Sequence, residues 1–214
     1  VPTPHMRVEP GRGRRHHTEV VAAQEVGRAG SELGGREAGV ERHVFILRCA
    51  GLLVPIGRVT DMPATAMITG AGGGIGAAIA EALAPTHTLL LAGRPSRHLD
   101  AVAARLGATT WPMDLTDSDG IEAAADVLAE LDVLVHNAGV AFPGRVAEST
   151  AEQWRDTFEV NVTGAVALTL ALLPALRAVR GQVIFINSGS GLAVSAGLAS
   201  YSASKFALRA FADS

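Results

Sequence analysis

From residue 64 to the end of the chain, short apolar runs alternate with stretches in which apolar residues return at helical spacing. The runs at 65–70 (TAMITG), 87–93 (HTLLLAG), 108–114 (ATTWPMD), 132–139 (DVLVHNAG) and 181–189 (GQVIFINSG) predict strands. Between them the pattern predicts helices at 75–84, 98–106, 118–131 and, as one long element, 151–179, with a further helix opening at Tyr201. VIFIN and DVLVHN are apolar on both faces, as strands are when helices cover both sides of a sheet. Such alternation defines an α/β fold, a doubly wound parallel sheet with about five strands. Sheets of this kind take ligands at the carboxyl ends of their strands, where the strand order reverses.

Residues 1–61 lack that order. They carry nine of the 17 arginines, many glycines and a GRGRRHH cluster, without sustained strand or helix periodicity. They are expected to be an N-terminal extension, largely disordered or outside the fold, with residues 62–214 as the folded domain. The one apolar run there, at 44–57, suits a short strand or helix; Arg48 interrupts it, and it lies too far from the terminus for a signal peptide. Met62, directly before the first strand, is a candidate start of translation.

Composition narrows the partners. A chain of 214 residues, 48% hydrophobic and 18% charged, has the apolar material for one domain of ordinary size. A net charge of −3 without a long basic run argues against nucleic acid and anionic membrane surfaces as partners. The lone Cys49 cannot form an internal disulfide, so a reducing, cytoplasmic location is expected. The longest uncharged apolar stretch, 162–176, is shorter than the ~20 residues of a membrane span and contains Pro174, which reads as a buried helix.

Candidate chemistry concentrates in two segments. TGAGGGIG (69–76) follows the first strand and opens the first helix. Glycine there permits a tight turn and close approach of the backbone to a pyrophosphate, while the helix N-terminus offers free N–H groups to the anion. Two registers fit: Gly72, Gly74 and Ala77 match GxGxxA, whereas Thr69, Gly70, Gly74 and Gly76 match TGxxxGxG. YSASK (201–205) contains the only tyrosine and the only lysine of the chain. Side chains four apart share one helix face, so Lys205 stands beside Tyr201; a fixed ammonium there favours the phenolate and lets the phenol exchange protons near neutral pH. A planar guanidinium would be a different donor from a compact ammonium that can also bond ribose hydroxyls.

TGAGGGIG, HNAG (136–139), NVTG (161–164), Ser188 and YSASK occur in the order and spacing of the classical short-chain dehydrogenase/reductase family, with Ser188 standing 13 residues before Tyr201. From about residue 64 to its end the chain resembles a member of that family. The resemblance implies a Rossmann-type domain and an oxidoreductase that interconverts an alcohol and a ketone or aldehyde by hydride transfer. It selects the TGxxxGxG register, with Thr69, Gly70, Gly74, Ile75 and Gly76 binding the dinucleotide and Ile75 packed under the turn. It further implies that Tyr201 is the general acid in reduction and the general base in oxidation, and that Ser188 hydrogen-bonds the substrate carbonyl. Lys205 would support Tyr201 and hold the nicotinamide ribose, and Asn161 would connect Lys205 to a water relay. Asp114 would bond the adenine amino group, with Asn137, Ala138 and Gly139 against the adenosine. His136 stands where Asn is commoner and is expected to be structural, without a part in catalysis.

After the second strand the sequence reads LAGRPSRH, placing Arg94, with Arg97 as a second contact, where a 2′-phosphate would lie; the first acidic residue is Asp100. NADP is therefore expected in preference to NAD. Family members continue past the catalytic helix, whereas this sequence stops nine residues after Lys205, so it is expected to be a fragment with one pocket wall missing and little turnover. The long helix and the one starting at Tyr201 are expected to make homodimer or homotetramer contacts. The small apolar segment 189–199 and Phe142 favour an apolar alcohol or carbonyl substrate. Two alternatives compete. A non-catalytic dinucleotide-binding or regulatory protein would not need Ser188, Tyr201 and Lys205 together, and an extended-branch epimerase or dehydratase would carry TGxxGxxG.

Overall fold

The computed structural model describes residues 19–22, 44–48 and 63–214. In chain order the main elements are β1 (Glu19–Ala22), β2 (Val44–Arg48), β3 (Ala64–Thr69), α1 (Gly74–Leu83), β4 (His87–Gly93), α2 (Arg97–Leu106) and β5 (Thr109–Pro112). They continue with α3 (Ser118–Asp126), β6 (Val133–His136), α4 (Ala151–Phe158), α5 (Gly164–Val179), β7 (Gln182–Ser188) and α6 (Ala199–Ala212). The sheet order is β1-β2-β7-β6-β3-β4-β5. The five strands from β7 to β5 are parallel, as the alternating pattern implies. β2 pairs antiparallel with β7, and β1 antiparallel with β2. Residues 19–22 and 44–48 thus join the sheet at one edge, and for these two segments the extension is part of the fold. The rest of residues 1–61, the candidate start at Met62 and Cys49 lie outside the described residues.

Alternation along each buried strand sends neighbours to opposite layers. Ala66 and Ile68 of β3 face Ala80 of α1 and Leu99 and Val102 of α2, while Met67 faces Leu168, Leu172 and Leu176 of α5. Burying each of these leucines contributes about 1.5–3 kcal/mol. A third cluster joins Phe185 of β7 to Leu208 and Ala212 of α6, docking that helix on the sheet. Local signals fix several helix ends. The Ser96 hydroxyl accepts the Leu99 N–H at 3.3 Å to cap α2, which stops at Gly107 with φ 62°. Thr150 and Gln153 cap α4 reciprocally.

Two helices differ from their expected spans. The helix expected at 118–131 ends at Asp126, because the chain beyond it is drawn into tertiary bonds: Leu131 N–H donates to the Ala175 carbonyl and Asp132 N–H to that of Thr65. The single helix expected at 151–179 is broken by a π-helical turn at Glu159–Thr163. Among the described residues this run, Ala151–Val179, is the one long and apolar enough to cross a membrane by length and composition alone. Its Leu168, Leu172 and Leu176 nevertheless pack on the sheet, in keeping with a buried helix.

The chain builds β3, β4 and β5 outward in one direction and then returns to place β6 on the other side of β3. The strand order therefore reverses between β3 and β6, opening a crevice at their carboxyl ends. Gly76 seats α1 at this point: a Cβ there would run into the Gly70 carbonyl oxygen and the Asn137 amide. Gly76→Ala is expected to cost about 1–3 kcal/mol through overpacking, measured by urea unfolding.

Candidate active site

Between β3 and α1 the backbone passes through Gly70 at φ 66° and Gly74 at φ 54°, left-handed conformations that favour glycine. Gly70 also packs within 2.9 Å of the Ala138 Cα, counted from the position its Cβ would take. Nothing lies over Gly74, so the turn is open where a ligand would approach, whereas Gly72 would accept a Cβ at ordinary contact with Leu99. Steric demand thus falls on Gly70, Gly74 and Gly76. No side chain caps the N-terminus of α1 and no acidic residue occupies its first turn, which leaves its N–H groups to an anion. Ile75 does not pack under the turn as expected. It is 44% exposed, because the buried stripe of α1 runs through Gly76, Ala77 and Ala80, one residue further round the helix.

A latch ties this turn to the end of β6. The buried Thr69 hydroxyl donates to the Val135 carbonyl at 3.2 Å and accepts the N–H groups of Asn137 and Ala138 at 3.0 and 3.1 Å. In return the Asn137 amide donates to the carbonyls of Thr69 and Gly70 at 3.0 and 3.2 Å. Beside the latch lies a cleft of about 370 Å³ lined by Thr69, Gly70, Arg94, Asp114, Asn137, Ala138 and Gly139 among others. The Thr116 backbone N–H, followed by its hydroxyl, holds the Asp114 carboxyl below its ordinary pKa, with Arg94 adding to the effect. Both Thr116 contacts fall on Oδ1. Of the lining residues, sequence reasoning missed Thr116, Val140 and Val160; Thr116 could have been found as the Asx-turn partner two positions after Asp114.

Lys205 and Tyr201 share one face of α6, with the Lys205 Nζ 5.6 Å from the centre of the Tyr201 ring. Lys205 is 4% exposed and donates from Nζ to the Ile186 carbonyl of β7 at 2.9 Å. Burial pushes its ammonium down to about 8. Asn161 lies in the π-helical turn, a feature common at functional sites. Its amide brackets the loop after β6, accepting from Val140 N–H at 2.7 Å and donating to the Val140 carbonyl at 2.9 Å. Nδ2 also donates to the Ser204 hydroxyl at 3.0 Å, which itself donates to the Tyr201 carbonyl. Asn161 therefore joins the β6 loop to α6, and the Gly139 Cβ position falls 3.9 Å from the Lys205 Nζ.

Ser188 ends β7 half-buried, and its hydroxyl accepts the Ser190 N–H at 3.1 Å, leaving the hydroxyl hydrogen for another acceptor. The following loop is fastened to α6, since Ser190 and Ser195 hydroxyls meet at 2.9 Å and Ser195 N–H donates to the Ser202 hydroxyl at 3.3 Å. His136 is buried, stacked on Phe185 with ring centres 4.9 Å apart, and meets the Thr169 hydroxyl through Nε2 at 2.8 Å. Because Thr169 donates to the Ala165 carbonyl, Nε2 carries the hydrogen, and Nδ1 is buried without a hydrogen-bond partner, as suits a neutral ring. Burial, and secondarily the Lys205 charge, lower its pKa to about 3.

A protein-family model described as short chain dehydrogenase matches residues 64–214. The chain is 34% identical over 167 residues to dehydrogenase/reductase SDR family member 7B of Bos taurus, covering 70% of this chain and 51% of that protein. A crystal structure of a short-chain dehydrogenase from Streptomyces avermitilis is 38% identical with a TM-score of 0.67, over 71% of this chain and 59% of that one. A short chain dehydrogenase of Escherichia coli CFT073, solved with NADPH, is 30% identical with a TM-score of 0.67, over 70% of this chain and 69% of that one. This chain thus spans about half to two thirds of the length of these relatives. Fold, cleft and matches together define a Rossmann-type α/β domain. The chain belongs to the short-chain dehydrogenase/reductase family.

The neutral His136 gives a pH signature. The unfolded chain takes up a proton on this ring near 6.5, the folded one only near 3, so the stabilising difference is complete above pH 6.5 and is lost as pH falls toward 3. Between pH 7 and 5 a His136→Gln variant is expected to lose about 2 kcal/mol less stability than the wild type, read from urea unfolding at each pH.

Proposed function

We propose that this chain holds the cofactor and the reacting groups of an NADP-dependent oxidoreductase that interconverts an alcohol and a ketone or aldehyde. The observation that carries this reading is the buried Lys205 beside the half-buried Tyr201 on a helix fastened to the strand that ends in Ser188. The open Gly74, the uncapped α1 N-terminus and the cleft with Asp114 fit a pyrophosphate and an adenosine. The exposed Arg94, beside Asp114 at the cleft, fits a 2′-phosphate and supports NADP over NAD.

When bound, the nicotinamide supplies or accepts the hydride. In reduction Ser188 donates its free hydroxyl hydrogen to the carbonyl oxygen as negative charge develops there, and Tyr201 delivers the proton to that oxygen. Lys205 bonds the ribose hydroxyls and favours the phenolate that Tyr201 becomes, while Asn161 holds the β6 loop against α6 and passes protons through water. The substrate is an apolar alcohol or carbonyl compound. Exposed Phe142 follows Gly139, exposed Leu192 and Val194 follow Ser188, and the two loops meet where Gly144 N–H donates to the Gly197 carbonyl at 2.9 Å. Exposed Leu170 on α5 and Phe206 on α6 support homo-oligomeric assembly through those helices.

NADPH oxidation against a panel of apolar ketones and aldehydes tests the reaction. Tyr201→Phe, in a chain extended to the length of its relatives, is expected to lower kcat by about 10²–10⁴-fold with NADPH still bound, and NADPH binding without turnover in that extended chain would leave a non-catalytic dinucleotide-binding protein. Arg94→Glu is expected to reduce the preference for NADPH over NADH by about tenfold or more, measured as the ratio of kcat/KM values.

A further inference from the structure

Asn187, the residue before Ser188, is 4% exposed, and its amide bonds both catalytic elements. Its Oδ1 accepts the Ser188 N–H at 2.9 Å, and its Nδ2 donates to the main-chain carbonyl of Lys205 at 3.3 Å. Oδ1 also occupies the space over Gly191, where a Cβ would stand 2.5 Å away, so the turn after β7 closes directly on the amide. Lys205 is consequently fixed to β7 at both ends. Its Nζ reaches the Ile186 carbonyl at 2.9 Å, and its own carbonyl receives Asn187. Rotating or sliding α6 on β7 would break one of these bonds and strand a buried polar group without its partner. Tyr201 rides one turn ahead on the same helix, and Ser188 hangs from the same amide.

We infer that Asn187 is a positioning residue whose side-chain amide sets the spacing between the Ser188 hydroxyl on β7 and the Tyr201–Lys205 pair on α6. The inference rests on the reaction proposed above. Asn187 touches neither substrate nor cofactor; it acts through the backbone of the two residues it bonds. Serine in its place would still offer an acceptor to the Ser188 N–H but would not reach the Lys205 carbonyl. Lys205 would then be free to swing from the Ile186 carbonyl toward water.

Lys205 is the only lysine of the chain, so lysine labelled with ¹³C at Cε reports its ammonium as one signal. The groups facing that ammonium are Tyr201 on its own helix and His136 from β6, with uncharged Asn161 and Gly139 on the remaining side. Wild-type Lys205 is expected to titrate near 8, and in Asn187→Ser the midpoint is expected to rise toward 10.5 by about one unit or more as the ammonium regains water. In the same variant kcat is expected to fall about 10²-fold, with the KM for NADPH rising as Lys205 withdraws from the ribose it holds in the proposed reaction. An unmoved Lys205 titration, or an unchanged kcat, would overturn the inference. If the wild type turns over no carbonyl compound, the proposed reaction fails while the lysine titration still decides the role of Asn187. Should the serine variant not fold, Asn187→Asp keeps the size and the Ser188 contact but not the donor to the Lys205 carbonyl; a kcat loss supports the role, and wild-type kcat overturns it.

Discussion

A buried ammonium held on the main chain of a central strand is the constraint from which the rest of this site follows. Lys205 has left water almost completely, and the Ile186 carbonyl at 2.9 Å compensates part of a desolvation cost that amounts to several kcal/mol for an isolated ion. The remainder is visible as an ammonium that holds its proton less firmly than a free lysine. In such surroundings its field is weakly screened, so groups brought close to it feel it strongly. His136 feels it as a reason to remain neutral, and its hydrogen bond to Thr169 keeps the ring in one tautomer.

The second half of the site depends on closeness between backbones. Thr69 and Asn137 exchange hydrogen bonds across β3 and β6, and this exchange brings the glycine turn against Ala138. Side chains on Gly70 or Gly76 would hold the segments apart, so the absence of a Cβ at those positions is what lets the crevice at the strand-order reversal form. Thr69 serves here through its hydroxyl, bonded within the protein. Asn161 then joins the loop leaving β6 to the helix that carries Tyr201, its amide bonding both.

Much of the fold was legible because it is written at short range. Strand alternation and the left-handed stop of α2 at Gly107 depend on residues within a few positions of one another, and β3, β4, α2 and β7 fall within a residue or two of their expected spans. The Tyr201–Lys205 pair was legible for the same reason, since four residues of helix suffice to put both side chains on one face. Thr116 escaped notice although its turn with Asp114 is also local, because many such turns occupy surfaces with no cleft beside them.

The sequence by itself determined the alternation of strand and helix, the glycine turn at the first strand–helix junction and the residue types gathered near its end. Only the tertiary structure decided that α3 stops at Asp126, that a π-helical turn presents Asn161, that Ile75 faces outward, and that two segments of the extension line the sheet edge. It alone revealed Asn187 as a partner of α6 and Ser204 as the residue through which Asn161 meets that helix. Several of those outcomes rest on hydrogen bonds between residues far apart in the chain, such as Asn187 with Lys205 and Thr65 with Asp132. Such bonds exist only after the strand order is set. Local periodicity encodes which face a residue takes on its own element and carries no information about which element will lie opposite.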